Sequence, residues 1–468
     1  MNINRLIYPG FWFGKTKQAD ALELAKRGVG GFCIYGGTLE QVRQLTQTLR
    51  AASPLPHLFI CADYEDGLGR WIPNTSWVLS NMAVGAGASE EIAYQKGLTL
   101  AREARSVGVD WIFAPVLDLC DEPNNPIVNT RSFGKNPKLV GKLGAALCRG
   151  LKDGGVLNSI KHFPGHGRTT QDSHLGLPVL SRTLSQLQEN ELIPFQTALP
   201  QADSVMVGHL LLPALDGQYP ASLSKSVITD LLQKQLQFRG LILTDALCMK
   251  AIGDEKQAAV QALQAGAHIL LAAENSLALS DFLQTQSGLE KQAEQSVILQ
   301  EQLIGRAPCQ TGLPAADFNR TYAHACAVWQ GRIDTLQPGQ EIAYVELGNE
   351  EALAAQFFIK ALQEQGISVK KWEGKKTDTL LAVSFSNYKA FKGHINLSAH
   401  EKIVLAAACQ CCRRSIFVSF GSPFGTEDIS SLQTRLYLFS PAAEAQQTAA
   451  DILTGKQKAR GKMPVDRQ

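Results

Sequence analysis

Two textures alternate along the first three hundred residues. Short apolar runs occur at "GVGGFCIYGG", "HLFICADY", "DWIFAPVLDL", "GVLNSIKHF", "SVMVGHLLL", "RGLILTDAL" and "AHILLAA". Longer segments separate them, with apolar residues at helical spacing, among them "LEQVRQLTQTLRAA", "PKLVGKLGAALCRGLKDGG" and "DEKQAAVQALQAG". Continuous apolar runs read as strands buried on both faces, and the intervening helical period reads as the helices that connect parallel neighbours. Seven strands are legible, and the eighth is either irregular or near "RLIYPGFWFG". The order predicts an α/β fold in which residues 1–306 form a (β/α)8 TIM-like barrel, with a doubly wound sheet as the alternative. From "EIAYVELG" the same texture resumes. It predicts a smaller α/β sandwich domain over 339–468, with 307–338 as a less regular linker.

Composition narrows the partners. The chain has 468 residues, 45% hydrophobic and 19% charged, with a formal charge of +2. That length suits two cores, and that balance suits a soluble globular protein. No basic run marks a nucleic acid or a membrane surface as a partner. No stretch reaches the length of a membrane span, and "MNINRLIYPGFWFGKTKQ" lacks the apolar core of a secretory signal, so a cytoplasmic location is expected. The ten cysteines are scattered. Without an export signal they read as reduced core residues, and "CQCC" has no second pair at zinc-ligand spacing. Nothing in the sequence sets the oligomeric state.

In a barrel, chemistry gathers where strands end and their following loops begin. The second run ends in Asp63 and continues into "YEDGLGR" with Arg70; the third ends in Asp118 and opens a loop carrying Arg131. The fourth ends in Lys161 and His162, the fifth in His209 and the sixth in Asp245. Any one of these reads equally well as a turn or helix cap. Five consecutive exits with ionisable groups read as a site. Asp245, at the end of an apolar strand, is fixed enough to serve as nucleophile, base or metal ligand. Lys161, Arg131, Arg70 and Asp63 together suit the hydroxyls of a polyol. The fourth exit opens "KHFPGHGRTTQDSH", residues 161–174. Pro164, Gly165 and Gly167 rule out a helix that would align His162 and His166 as paired metal ligands. A metal-dependent hydrolase using His162, His166 and Asp245 stays open as a reading of a different class. Asp172 beside His174 makes a carboxylate–imidazole pair suited to proton transfer near neutral pH.

"KHFPGHGRTTQDSH" resembles the signature of the bacterial β-N-acetylglucosaminidases of glycoside hydrolase family 3. "FAPVLDL", "NTRSFG", "VMVGHLLLPALD", "GLILTDAL" and "ALQAGAHILLA" resemble that family's barrel in order and spacing, and "IFVSFGSPFG" and "ADILTGKQKARGKMPV" its C-terminal sandwich. The resemblance implies a retaining exo-acting β-N-acetylhexosaminidase that removes terminal β-linked GlcNAc, with cell-wall amino-sugar fragments as its substrates and no cofactor or metal. It implies Asp245 as nucleophile and His174 as acid/base, with Asp172 as its partner. Asp63, Arg70, Arg131, Lys161 and His162 would bind the sugar, and His209 joins them from its strand exit. A family 3 β-glucosidase or a glycosyl phosphorylase acting on another sugar stays open. The family's usual "DQEGGRVxR" is here "DYEDGLGR", with Leu68 in place of one arginine and Arg70 one residue nearer to Asp63.

Overall fold

The computed structural model describes residues 2–171, 176–305, 313–332, 334–348, 355–386 and 395–466. Its first strand is split at Pro9, which has no N–H for the ladder, into β1 (Ile7–Tyr8) and β2 (Gly10–Trp12). Then follow β3 (Gly31–Tyr35), β4 (Phe59–Ala62), β5 (Trp111–Ile112), β6 (Leu157–Phe163), β7 (Ser204–Val207), β8 (Leu241–Thr244) and β9 (Leu270–Leu271). Each of β2 to β7 pairs in parallel with its successor. A bridge from Leu243 to Ile269 joins β8 to the start of β9, and β9 pairs in parallel with β1. The ladder thus returns to its first strand. The strand expected near "RLIYPGFWFG" is this split one.

Alternation along the strands sorts the core into two groups. Cys33, Phe59, Cys61, Trp111, Leu157, Met206, Leu241, Leu243 and Leu271 meet one another inside the ring. Their neighbours Phe32, Ile34, Ile60, Ile112, Val205 and Ile242 face outward to the connecting helices. These helices are α1 (Gln18–Lys26), α2 (Leu39–Ala52), α3 (Asn81–Gly87), α4 (Glu90–Ser106), α5 (Pro137–Asp153), α6 (Leu184–Glu189), α7 (Leu192–Ala198), α8 (Glu255–Ala265), α9 (Ser276–Gln284) and α10 (Glu290–Leu303). Their starts follow capping chemistry. Thr38 and Gln41 form a reciprocal box at α2, Ser89 caps α4, and Asn136 precedes Pro137 at the first position of α5. The segment "SKSVITDLLQKQLQF" forms a π-helix, Ser226–Gln235.

The stretch 307–338, expected as a linker, holds regular structure. Helix α11 (Ala315–Cys326) packs on α3 and α4, and β10 (Val328–Gly331) joins the following sheet. Helical spacing of Phe318, Tyr322 and Cys326 was present in the sequence but lay in a short, polar context. The sheet also contains β11 (Glu341–Leu347), β12 (Ser368–Lys371), β13 (Thr377–Ser384), β14 (Cys412–Ser419) and β15 (Thr434–Tyr437), in the order β10-β15-β14-β13-β11-β12. Only the β10–β15 pair is antiparallel. With it go α12 (Gln356–Glu364), α13 (Ala399–Gln410) and α14 (Ala443–Leu453), the last packed against both α11 and α12. The "CQCC" run is not one helix: Cys409 lies in the last turn of α13, Cys411 caps it and Cys412 begins β14. Among the described residues no helix is long and apolar enough to cross a membrane.

Candidate active site

A cavity of about 1210 Å³ lies over the C-terminal ends of the ring strands. Asp63, Arg70, Arg131, Lys161, His162 and Asp245 all line it. The second sheet contributes a wall from its own strand exits, with Gly348 after β11, Phe385 after β13, and Phe439 and Ser440 after β15. Hydrogen bonds tie the two units beside it: Asn129 Nδ2 donates to Ser422 Oγ at 3.0 Å and Asn396 Nδ2 to the Pro123 carbonyl at 2.9 Å.

The polar floor is organised by Glu65, a residue to which the sequence alone assigns no role. Glu65 is buried two positions after Asp63. It accepts from Arg131 Nε at 2.9 Å and Nη2 at 2.8 Å, a two-point grip, and Lys161 Nζ lies 2.7 Å from its Oε1. Lys161 also donates to Asp63 Oδ1 at 2.7 Å. Burial opposes the Glu65 charge, but the neighbouring Arg131 and Lys161 outweigh it and hold the carboxyl well below the usual range. Burial likewise opposes the Lys161 charge, and Asp63 and Glu65 reverse that and raise its pKa. Asp63, the half-buried end of this chain of ion pairs, also anchors Trp71, whose Nε1 donates to the Asp63 carbonyl at 3.0 Å. Trp71 meets Tyr35 edge-on, and Tyr35 stacks on Trp12 at 4.7 Å, giving one flank of the cavity an aromatic surface.

Lys161 and His162 are adjacent in β6, where alternation would send them to opposite faces. The register against β7 shifts between Ile160 and Phe163, an irregularity of the kind that re-aims side chains, and both residues reach the cavity. Asp118, equally consistent in sequence with a plain turn cap, is fully buried and holds the ring of His162 from behind: Nδ1 lies 2.6 Å from Oδ2. The carboxylate accepts, so Nδ1 carries the proton and Nε2 turns towards Arg131 Nη2, 3.5 Å away. Burial would raise the Asp118 pKa, but His162 and His166 lower it instead. His166 also lines the cavity; burial pushes its pKa down to about 4, so it is neutral at physiological pH. Among the described residues no three His, Cys, Asp or Glu side chains converge as metal ligands. A cation at His162 Nε2 would face the Arg131 guanidinium, so the geometry does not favour the set His162, His166 and Asp245.

Asp245 follows β8 directly. Its N–H donates to the Val207 carbonyl at 3.0 Å, and its Oδ1 accepts from Ala246 N–H at 2.8 Å. His209 differs from the expectation that it binds sugar. It is fully buried, does not line the cavity, and uses both ring nitrogens within the fold. Nε2 donates to the Ala246 carbonyl at 3.0 Å, leaving Nδ1 to accept from the Ser222 hydroxyl at 2.6 Å. It therefore holds the backbone that follows Asp245. Asp172 and His174 lie outside the described residues.

Comparison with known proteins gives the family. The sequence profile described as "Glycosyl hydrolase family 3 N terminal domain" matches residues 2–306. Beta-hexosaminidase A of Pseudoalteromonas piscicida is 32% identical over 348 residues, covering 66% of this chain and 58% of that protein. The matched region thus spans somewhat over half the length of that relative. A beta-N-acetylglucosaminidase/beta-glucosidase of Cellulomonas fimi is 25% identical over 96% of this chain and 91% of its own. The structure of a glycoside hydrolase family 3 beta-N-acetylglucosaminidase from Paenibacillus sp. str. FPU-7 superposes with a TM-score of 0.87 at 26% identity, covering 99% of this chain and 98% of that one. The chain belongs to glycosyl hydrolase family 3.

Proposed function

We propose that the protein is a retaining, exo-acting β-N-acetylhexosaminidase that releases terminal β-linked GlcNAc from amino-sugar fragments such as those of the cell wall, in the cytoplasm. In this reading the strand ring is a (β/α)8 barrel, the second sheet with its helices is an α/β sandwich, and the boundary falls after residue 306. The observation that carries the reading is the Asp245 carboxylate, rigidly held at a strand exit and facing the same cavity as Asp63, Lys161, Arg131 and His162. Charged groups of both signs match the alternating donors and acceptors of a pyranose. The similarity to proteins named hexosaminidase and N-acetylglucosaminidase supports the amino sugar.

The reaction takes two steps. Asp245 attacks the anomeric carbon while protonated His174, assisted by Asp172, gives its proton to the departing oxygen. The neutral imidazole then takes a proton from water, which displaces Asp245 and frees the sugar. Release of p-nitrophenol from the GlcNAc β-glycoside, lost by at least about a thousandfold in Asp245→Ala, is the expected result. A 5-fluoro glycosyl trap should leave a covalent adduct on the peptide "GLILTDALCMK"; an adduct elsewhere would remove Asp245 from its role. A β-glucosidase reading draws on the doubly named Cellulomonas relative. A panel of aryl glycosides, run with and without phosphate, separates it and phosphorolysis from GlcNAc hydrolysis.

A further inference from the structure

The segment that carries Arg70 is suspended from one face of α4. Asp66 follows Glu65 in that segment, and its side chain is buried. Its Oδ2 accepts from Arg70 Nη1 at 3.3 Å, and its Oδ1 from Lys96 Nζ at 3.1 Å. Lys96 is fully buried in the middle of α4 and also donates to Asn81 Oδ1 at 2.7 Å. Two helical turns further on, on the same face, Glu103 accepts from the Leu68 N–H at 3.0 Å. Between these two holds the backbone turns at Gly67, with φ +82, where an added Cβ would come within 2.6 Å of Glu103 Oε2. A lysine ammonium without exposure is costly to bury, and here Asp66 and Asn81 offset part of that cost. Asp66 in turn bridges that lysine and a guanidinium at the cavity wall.

We propose that Asp66 and Lys96 are a positioning pair that fixes Arg70 for contact with the glycosyl group. The inference rests on the reading of the cavity as a sugar site and names what tunes its affinity on the Arg70 side. Neither member of the pair takes part in proton transfer or attack, so the pair acts on substrate affinity.

The test is a double-mutant cycle in the full chain, read as KM and kcat on p-nitrophenyl β-GlcNAc with melting temperature alongside. Asp66→Asn should raise KM about tenfold, the loss of one charge-assisted hydrogen bond, with kcat changed less than about threefold. Arg70→Ala should raise KM at least as much. Asp66→Asn added to Arg70→Ala should change KM by less than about twofold, because the pair works through Arg70. Lys96→Met leaves a buried carboxylate short of a cation and is expected to melt early; Asp66→Asn/Lys96→Met removes both charges and keeps the KM effect measurable. If the Asp66 and Arg70 effects multiply, or if melting falls while KM stays put, the pair is only structural and the inference is overturned. Wild-type turnover is the control: its absence overturns the hexosaminidase reading, and the positioning role with it.

Discussion

Replacing Glu65 by Gln tests whether the site is built on one buried carboxylate. The substitution keeps the shape and removes the charge that Arg131 and Lys161 share. Lys161 retains Asp63, but the Arg131 guanidinium keeps at most one of its two short bonds to position 65, because the amide oxygen still accepts while the amide N–H faces a donor. Breaking a buried pair by removing one partner costs about 3–5 kcal/mol. For a domain of this size, each kcal/mol lowers Tm by roughly 2 °C, so a fall of roughly 6–10 °C is expected. KM for the aryl GlcNAc glycoside should rise at least about tenfold, since both cations that line the cavity share that carboxylate.

The pH dependence follows from the sign of the shift. The folded Glu65 carboxyl titrates below its ordinary value, so its contribution is complete above the unfolded value of about 4.3 and is lost as pH falls through the folded one. The gap in stability between wild type and Glu65→Gln should therefore be constant from pH 5 to 8 and close only in acid. Thermal melts across that range, with KM measured at pH 7, are the assay. Glu65→Asp, which keeps the charge on a shorter stem, should fall between the two. A Glu65→Gln protein that melts within 1 °C of wild type and binds substrate equally well would refute the idea that this carboxylate organises the floor.

Two other outcomes are expected. Burial pushes the Glu103 pKa up to about 7, so ionising it opposes folding: the penalty is absent below about 4.5 and grows as pH rises to 7. Glu103→Gln, which can still accept from Leu68 N–H, should be more stable than wild type at pH 8 by about 1–2 kcal/mol after allowance for its partial exposure, and lose that advantage at pH 5; a pH-independent difference would contradict this. Exhaustive chelation should leave turnover unchanged, and loss restored by zinc would favour the metal-dependent reading.

What could be read from the sequence was whatever repeats or concentrates. Parallel strands buried on both faces leave unbroken apolar runs, so seven of the ring strands were visible, and Pro9 explains why the remaining one was only approximate. Asp63, Lys161, His162 and Asp245 were found because they interrupt apolar runs at strand exits. Glu65 and Asp66 carry no such mark, because a carboxylate in a polar loop has the same sequence signature whether it is solvated or buried beside cations, and Asp118 at its strand exit fits a turn cap as well as a site. Lys96 and Glu103 were harder still. They lie on an amphipathic helix of charged residues, where lysine and glutamate normally mark the solvent face. What turns them inward is the loop laid against α4, and that contact depends on packing between segments rather than on either segment's own pattern. His209 erred in the other direction: it sits at a strand exit like the others, but the Ala246 carbonyl and the Ser222 hydroxyl take both of its nitrogens, so it steadies the chain after Asp245 instead of meeting the cavity. Position along a strand tells which end of the ring a side chain occupies. Whether it faces the cavity or holds up a neighbour that does is decided by the partners that the fold brings to it.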